Sequence, residues 1–472
     1  MHASASPLDA LDALFRPKSI AVIGASSEET SEGDGWVARL LTFGFSGKVY
    51  PVNPRADTIL GLKAYPSAAE LPEDIDYAIF NIPASSCLTA LDECARKGVK
   101  LVHIYSAGFS EVGKAGERLE KALVQTAKEK GIRILGPNAM GLYFSAHGLT
   151  FDRSFPRTPG AIAFVSQSGS CAMRLVRQGS LRGLRFSKVV SYGNAADLNE
   201  AELANYFAMD QESRILAFYI EGTRDKEGFI EALRKAARAK PVFMLAGGTS
   251  IGGRRAVEAH TGKGTPLSRE SLSRIPGVII ADSLEQLVDY LVAFSYPLPP
   301  GLRNVAVVGR GAGLGVLAAD ALEAEGFSVP SLSLRTRRAI AKDFSFPGAM
   351  IANPIEPPGS ASTWAPFLDK VLPILDKAQE IDLLLLNLSP DIHASGLGSQ
   401  DDLEAVAAVI MSAMERLKKP TVAVLASGDN IEVMEGIWSL MARLAALGIP
   451  VFYSVEAAAR SIARSQRWRE GR

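Results

Sequence analysis

Ser19-Ile20-Ala21-Val22-Ile23-Gly24 is an apolar, β-branched run that stops on a glycine. Ala25-Ser26-Ser27 follows it, then a helical pattern from Gly35 to Phe43 and a second run, Lys48-Val49-Tyr50-Pro51-Val52. Strand, glycine turn, helix and strand in that order make the βαβ unit of a parallel sheet.

The alternation continues outward from this unit. Tyr77 to Ile82, Leu101 to Tyr105 and Arg133-Ile134-Leu135 read as further strands of a doubly wound domain that ends near residue 145. A second series opens at Gly160 to Val165. It passes through Lys188-Val189-Val190, Ile215 to Ile220 and Pro241 to Leu245, and closes at Val278-Ile279-Ile280. The prolines of Tyr296-Pro297-Leu298-Pro299-Pro300-Gly301 exclude a helix interior or a central strand and mark a linker. A third series starts at Asn304 to Val308, includes Asp382 to Leu388 and Thr421 to Leu425, and runs into a basic tail, Arg464 to Arg472. The expected fold class is therefore α/β, with three doubly wound parallel-sheet domains over residues 1–145, 146–296 and 302–472.

Composition narrows the partners. The 51 basic and 51 acidic residues cancel, so no net field draws the chain to nucleic acid or to an acidic membrane surface. Small-molecule chemistry is the expectation. The three cysteines, Cys87, Cys94 and Cys171, have neither metal-ligand spacing nor an even count for disulfides, which suits a reducing, cytoplasmic location. The apolar runs are too short to span a bilayer, and the first residues carry no secretory pattern.

Chemistry concentrates in a few places. Of five histidines, His260 stands in Glu258-Ala259-His260-Thr261-Gly262, after a strand-like run and a glycine-rich turn. The reading places it in a flexible, donor-rich loop as a nucleophile or proton carrier; a histidine kept only for structure would look the same. Ser166-Gln167-Ser168-Gly169-Ser170 lies where a strand yields to a helix, so its amides and hydroxyls suit either a phosphate or an ordinary N-cap. The loop Gly24-Ala25-Ser26-Ser27 has the place of a nucleotide loop without GxGxxG spacing. After the second strand, Asn53-Pro54-Arg55 replaces the acidic residue expected for the ribose of NAD, and Arg55 fits a nucleotide with an extra phosphate, such as NADP or the 3′-phosphate of coenzyme A.

These residues carry a family resemblance. GAS (Gly24 to Ser26), YPVNPR (Tyr50 to Arg55), SAGFSE (Ser106 to Glu111), GPN (Gly136 to Asn138), SQSGS (Ser166 to Ser170), SYGNAADL (Ser191 to Leu198), YIEG (Tyr219 to Gly222) and AHTG (Ala259 to Gly262) occur in order. The set resembles the NDP-forming acyl-CoA synthetases, relatives of the succinyl-CoA synthetase α subunit, and continues into Gly311 to Gly326 and Asn353-Pro354. The resemblance implies a CoA-binding Rossmann-like domain followed by two flavodoxin-like ligase domains. It implies an ADP-forming acid-CoA ligase working through an acyl phosphate and a phosphohistidine at His260, with Glu221 orienting the ring and Ser168, Gly169 and Ser170 receiving phosphate. Coenzyme A would lie against Gly24, Ala25, Ser26, Ser27, Asn53, Arg55, Ile82, Pro83, Ser106, Ala107, Gly108 and Asn138. No ATP-grasp pattern is left over, so ATP, ADP and Mg2+ would be held by a separate ATP-grasp β subunit, and the substrate would be a small carboxylic acid. No metal ligands are expected in this chain. A CoA- or nucleotide-binding regulator, or an acyl or carbamoyl transferase of the same superfamily, are the alternatives.

The chain departs from the family pattern at several points. Ala139 follows GPN where cysteine is usual, Lys263 follows HTG, and Glu356 stands where aspartate is frequent.

Overall fold

The computed structural model describes residues 7–26, 35–261, 264–296, 298–309, 311–343, 351–356, 361–388, 400–425 and 431–471. They form two compact units, Met1–Arg177 with Arg185–Leu287, and Gln178–Leu184 with Val288–Arg472. The first unit holds two large sheets and the second holds one.

In the first sheet, β1 (Ser19–Ile23) is buried along its whole length and pairs in parallel with β2 (Lys48–Val52). A small antiparallel ribbon, β3 (Thr58–Ile59) and β4 (Leu62–Lys63), precedes β5 (Tyr77–Phe80), β6 (Leu101–Ile104) and β7 (Arg133–Leu135). The large sheet runs β2-β1-β5-β6-β7, all parallel. Strands covered on both faces read as unbroken apolar runs, which is why they could be located from sequence. One face carries Ala78, Phe80, Val102, Ile104 and Ile134 and packs against Leu91, Cys94, Leu123 and Ala127 of the helices Cys87–Arg96 and Lys114–Glu129. On the other side, His103 and Tyr105 meet Trp36 of the helix Trp36–Phe43.

The second sheet comprises β8 (Gly141–Tyr143), β9 (Ile162–Ser166), β10 (Phe186–Ser191), β11 (Ile215–Ile220), β12 (Val242–Ala246) and β13 (Val278–Ile280), ordered β13-β12-β11-β9-β10-β8. The sheet is parallel except that β8 runs antiparallel to β10. β8, which lies within residues 1–145, is thus the edge strand of the second sheet. A three-residue edge strand has too little periodicity to announce its partner.

In the second unit, β14 (Val305–Gly309), β15 (Leu383–Asn387), β16 (Thr421–Val424) and β17 (Val451–Phe452) form a parallel sheet in sequential order. Its core gathers Leu384 and Leu386 with Trp364, Phe367 and Leu368. No helix among the described residues is long and apolar enough to cross a membrane.

Candidate functional site

Open parallel sheets bind ligands beyond the carboxyl ends of their strands, where the strand order reverses. In the first sheet that point lies between β1 and β5. Gly24 follows β1 at φ +82°, and a Cβ there would stand 2.3 Å from the Asn81 carbonyl oxygen that follows β5. Only glycine lets the two backbones meet so closely. The neighbouring loops are tied together: Asn53 Nδ2 donates to Ala25 O at 2.7 Å, and the Arg55 N–H donates to Asn53 Oδ1 at 2.8 Å. The Arg55 side chain is left exposed. Ser106 Oγ donates to Ile82 O at 2.5 Å, and Gly108, at φ +111°, would bring a Cβ to 3.0 Å from Ala84. Ser26, Pro83 and Ala107 lie on the same loops; Ser27 and Lys263 fall outside the described residues.

The second sheet reverses between β9 and β11, and its polar residues gather there. Glu221 follows β11 and is 5% exposed, and each of its carboxylate oxygens has a partner. Tyr219 Oη donates to Glu221 Oε1 at 3.1 Å, while His260 Nδ1 lies 2.9 Å from Oε2. The carboxylate accepts, so Nδ1 carries the proton and Nε2 is left unprotonated in the neutral ring. The hydrogen bond to Glu221 raises the His260 pKa above its ordinary value against an opposing push from burial, and the charges of Glu221 and Glu111 add to the rise.

His260 does not sit in a loop, contrary to the sequence reading. It occupies the last turn of a helix, Ile251–Thr261. Gly252 and Gly253 suggested a turn, but Ser250 Oγ accepts from the Gly253 N–H at 3.0 Å, and Arg254-Arg255-Ala256 continues with good helix formers. Gly247 keeps the approach to this helix open, since a Cβ there would lie 2.9 Å from Tyr219 Oη and 3.2 Å from Glu221 Cγ.

β9 leads through Ser166-Gln167-Ser168 into the helix that starts at Gly169. Ser166 Oγ donates to Ser168 O at 2.6 Å, and the Ser168 and Ser170 hydroxyls are 3.0 Å apart. A Cβ on Gly169 would stand 2.3 Å from Met140 Cγ, so glycine is what allows the GPN segment to close on this helix end. Asn138, at φ +57°, and Gly193, at φ +58°, form another such approach: a Cβ on Gly193 would stand 2.2 Å from Pro137 O.

A cavity of about 480 Å³ opens between these loops. His260, Ser168, Gly169, Ser170, Ser106, Ala107 and Asn138, all singled out from sequence, line it together with Asn81, Tyr105, Ala139, Met140, Gln167 and Gly193. Gly24, Ala25, Ser26, Asn53, Arg55, Ile82, Pro83 and Gly108 do not line this cavity and belong to the loops of the first sheet. Sequence reasoning overlooked Gln167 and Glu111, though it quoted the motifs that contain them. Glu111 accepts from the Gly108 and Phe109 N–H groups at 2.5 and 3.0 Å and from Asn194 Nδ2 at 2.6 Å. Burial alone would raise its carboxyl; these donors hold it below the ordinary range. Among the described residues no group of three or more His, Cys, Asp or Glu side chains is placed to hold a metal ion.

Comparison with known proteins agrees with the resemblance. Residues 18–145 match a family described as a CoA binding domain, and residues 159–294 match one described as a succinyl-CoA ligase like flavodoxin domain. The α subunit of ADP-forming acetate-CoA ligase II from Pyrococcus furiosus is 36% identical over 397 residues, covering 82% of this chain and 86% of that one. ADP-forming acetate-CoA ligase I from Archaeoglobus fulgidus is 34% identical over 456 residues, which is 96% of this chain; the chain spans 63% of that relative's length. Among solved structures, the dinucleotide forming acetyl-coenzyme A synthetase 1 of Ca. Korarchaeum cryptofilum, in complex with phosphate and ADP, matches with a TM-score of 0.77 at 29% identity over 98% of both chains.

Proposed function

The chain belongs to the ADP-forming acyl-CoA synthetase family, and from that premise we propose that it is the α-type half of such an enzyme, joining a small carboxylic acid to coenzyme A at the expense of ATP. ATP, ADP and Mg2+ would be handled by an ATP-grasp β subunit. The 86% coverage of a relative named as an α subunit supports a division of this kind.

The observation that carries the reading is His260, hydrogen-bonded to Glu221, lining the same cavity as the Ser168–Ser170 helix start. In the exchange between acyl phosphate and histidine, Nε2 attacks phosphorus with its lone pair. The P–O bond to the acyl oxygen breaks, its electrons leave with the carboxylate, and an N–P bond forms. Nδ1 keeps its proton, and Glu221 stabilises the positive charge that appears on the ring. The amides at the helix start and the Ser168 and Ser170 hydroxyls suit the phosphoryl oxygens, because unpaired N–H groups and the helix dipole favour an anion there.

Coenzyme A fits the first-sheet loops: bare backbone at Gly24 and Gly108 accommodates a close-lying chain, and Arg55 offers an exposed cation to a phosphate. Its thiol supplies the group that takes up the acyl carbon. Gly24, Ala25, Ser26, Asn53 and Arg55 would hold the nucleotide end, with Ile82, Pro83, Ser106, Ala107 and Asn138 along the arm towards His260.

The test is phosphate labelling by γ-labelled ATP in the presence of an ATP-grasp partner of proven competence. Acid-labile, base-stable label on the wild type and none on His260→Ala is expected. No label on the wild type would sink the reading.

A further inference from the structure

Gln167 is 6% exposed and lines the His260 cavity. Its carboxamide oxygen accepts two backbone hydrogen bonds, from Glu221 N–H at 2.8 Å and Gly222 N–H at 3.1 Å. Those bonds fix the orientation of the amide. Rotated by half a turn, it would set its NH2 group against two N–H donors, with donor facing donor. The NH2 group must therefore point away from the β11 backbone, and among the described residues nothing accepts from it. The NH2 nitrogen is not sealed from solvent, and with the side chain lining the cavity it is free to donate to a ligand there.

We infer that the Gln167 NH2 group donates to a phosphoryl oxygen of the group carried on His260, making Gln167 a further residue of the phosphoryl-transfer site. This rests on the reading of His260 as the phosphoryl acceptor. Both side chains are referenced to the same residue: His260 through the Glu221 carboxylate and Gln167 through the Glu221 N–H. A donor held by the backbone of the orienting glutamate keeps its place whatever the ring's protonation state, and it is neutral, so it adds no charge to compete with Glu221 for the imidazolium. Preorganised donors of this kind act where charge accumulates during transfer.

Two substitutions separate donation from support. Gln167→Glu keeps an oxygen for the Glu221 and Gly222 N–H groups and loses the NH2; Gln167→Met is neutral and loses both. The readout is the rate of His260 phosphorylation by acetyl phosphate, with the wild type measured first. If the wild type takes no phosphate, the underlying reading of His260 fails. If it does, both variants are expected to fall about ten- to a hundredfold. Gln167→Glu within twofold of wild type would overturn the inference. So would loss in Gln167→Glu with Gln167→Met unchanged, which would mean charge repulsion alone.

A measurement on the wild type uses a variant only to assign one signal. With 15N in glutamine side chains, the Gln167 NH2 signal, assigned by its absence in Gln167→Glu, should move downfield in its proton dimension when His260 is phosphorylated. An unmoved signal would overturn the proposal, and so would a signal that moves only when coenzyme A is added, since the donor would then serve the acyl group.

Discussion

The second and third sheets both end in a crevice beside a glycine-containing loop and a helix start, but they use their polar side chains differently. At the end of the second sheet, the Glu221 carboxylate holds Tyr219 and His260, and Gln167 commits its amide oxygen to the backbone after β11 while lining the cavity beside His260. At the end of the third, a cavity of about 230 Å³ is lined by Gly309, Gly311, Pro354, Glu356 and Asn387. There Glu356 Oε1 accepts from the Gly311 N–H at 3.0 Å. Asn353 accepts from Val307 N–H and donates to the Val305 and Pro330 carbonyls, each at 2.9 Å. Those bonds finish the sheet edge, where Val308 and Ile355 make a parallel bridge. Parallel strand ends therefore carry a titratable pair in one sheet and a structural edge in another, and reactivity follows the side chains placed there.

The largest effect expected from this contrast is at His260. His260→Ala should abolish phosphate labelling altogether, since no neighbouring group replaces a ring nitrogen. Glu221→Gln comes next. It preserves size but removes the charge that stabilises the phosphorylated ring, and labelling should fall on the order of a hundredfold.

The same pair fixes the sign of the pH dependence. Protonated His260 has no lone pair on Nε2, so the rate of phosphorylation should drop as pH falls through the His260 pKa. Because the Glu221 hydrogen bond raises that pKa, the midpoint should lie above about 6.5 in the wild type and move down in Glu221→Gln. A midpoint unchanged by the substitution would mean that the hydrogen bond does not operate in solution.

How much of this was legible follows from the kind of signal involved. Buried parallel strands are continuous apolar runs, so β1, β9, β11 and β15 could be located by eye. His260 and Glu221 stood out within short motifs of small and polar residues. The helix around His260 was not legible, because Gly252 and Gly253 argue locally for a turn while the Ser250 hydroxyl and the residues after them favour helix. Gln167 was hidden for another reason: its importance depends on which of its two amide atoms faces the backbone, and that is set by Glu221, 54 residues away. The Glu111–Asn194 contact, 83 residues apart, is equally non-local.

Asn353 tests the structural half of the comparison. Asn353→Ala removes three hydrogen bonds and leaves Val307 N–H and two carbonyls without that partner. At about 1 kcal/mol each, roughly 2–4 kcal/mol of stability should be lost from the unit that contains the third sheet, read as an earlier unfolding transition in urea. If unfolding is unchanged, Asn353 is not completing the edge, and the contrast between the two crevices weakens.

The smallest effect is expected at Ala139, the position that departs from the usual cysteine. Its side chain is 2% exposed, but the contacts that hold the segment are made by its backbone: the N–H donates to Ile104 O at 3.3 Å, and the carbonyl lies 2.8 Å from His103 Nε2. Burial pushes the His103 pKa down to about 4, so the ring is neutral at physiological pH, and facing a carbonyl it must carry its proton on Nε2 and donate. Ala139→Cys leaves both interactions intact and adds one sulfur atom beside a cavity with room for it. Labelling of His260 and the apparent affinity for coenzyme A should both stay within about twofold of wild type, a change below about 0.5 kcal/mol. A tenfold change in either would show that the side chain at 139, and not only its backbone, belongs to the site.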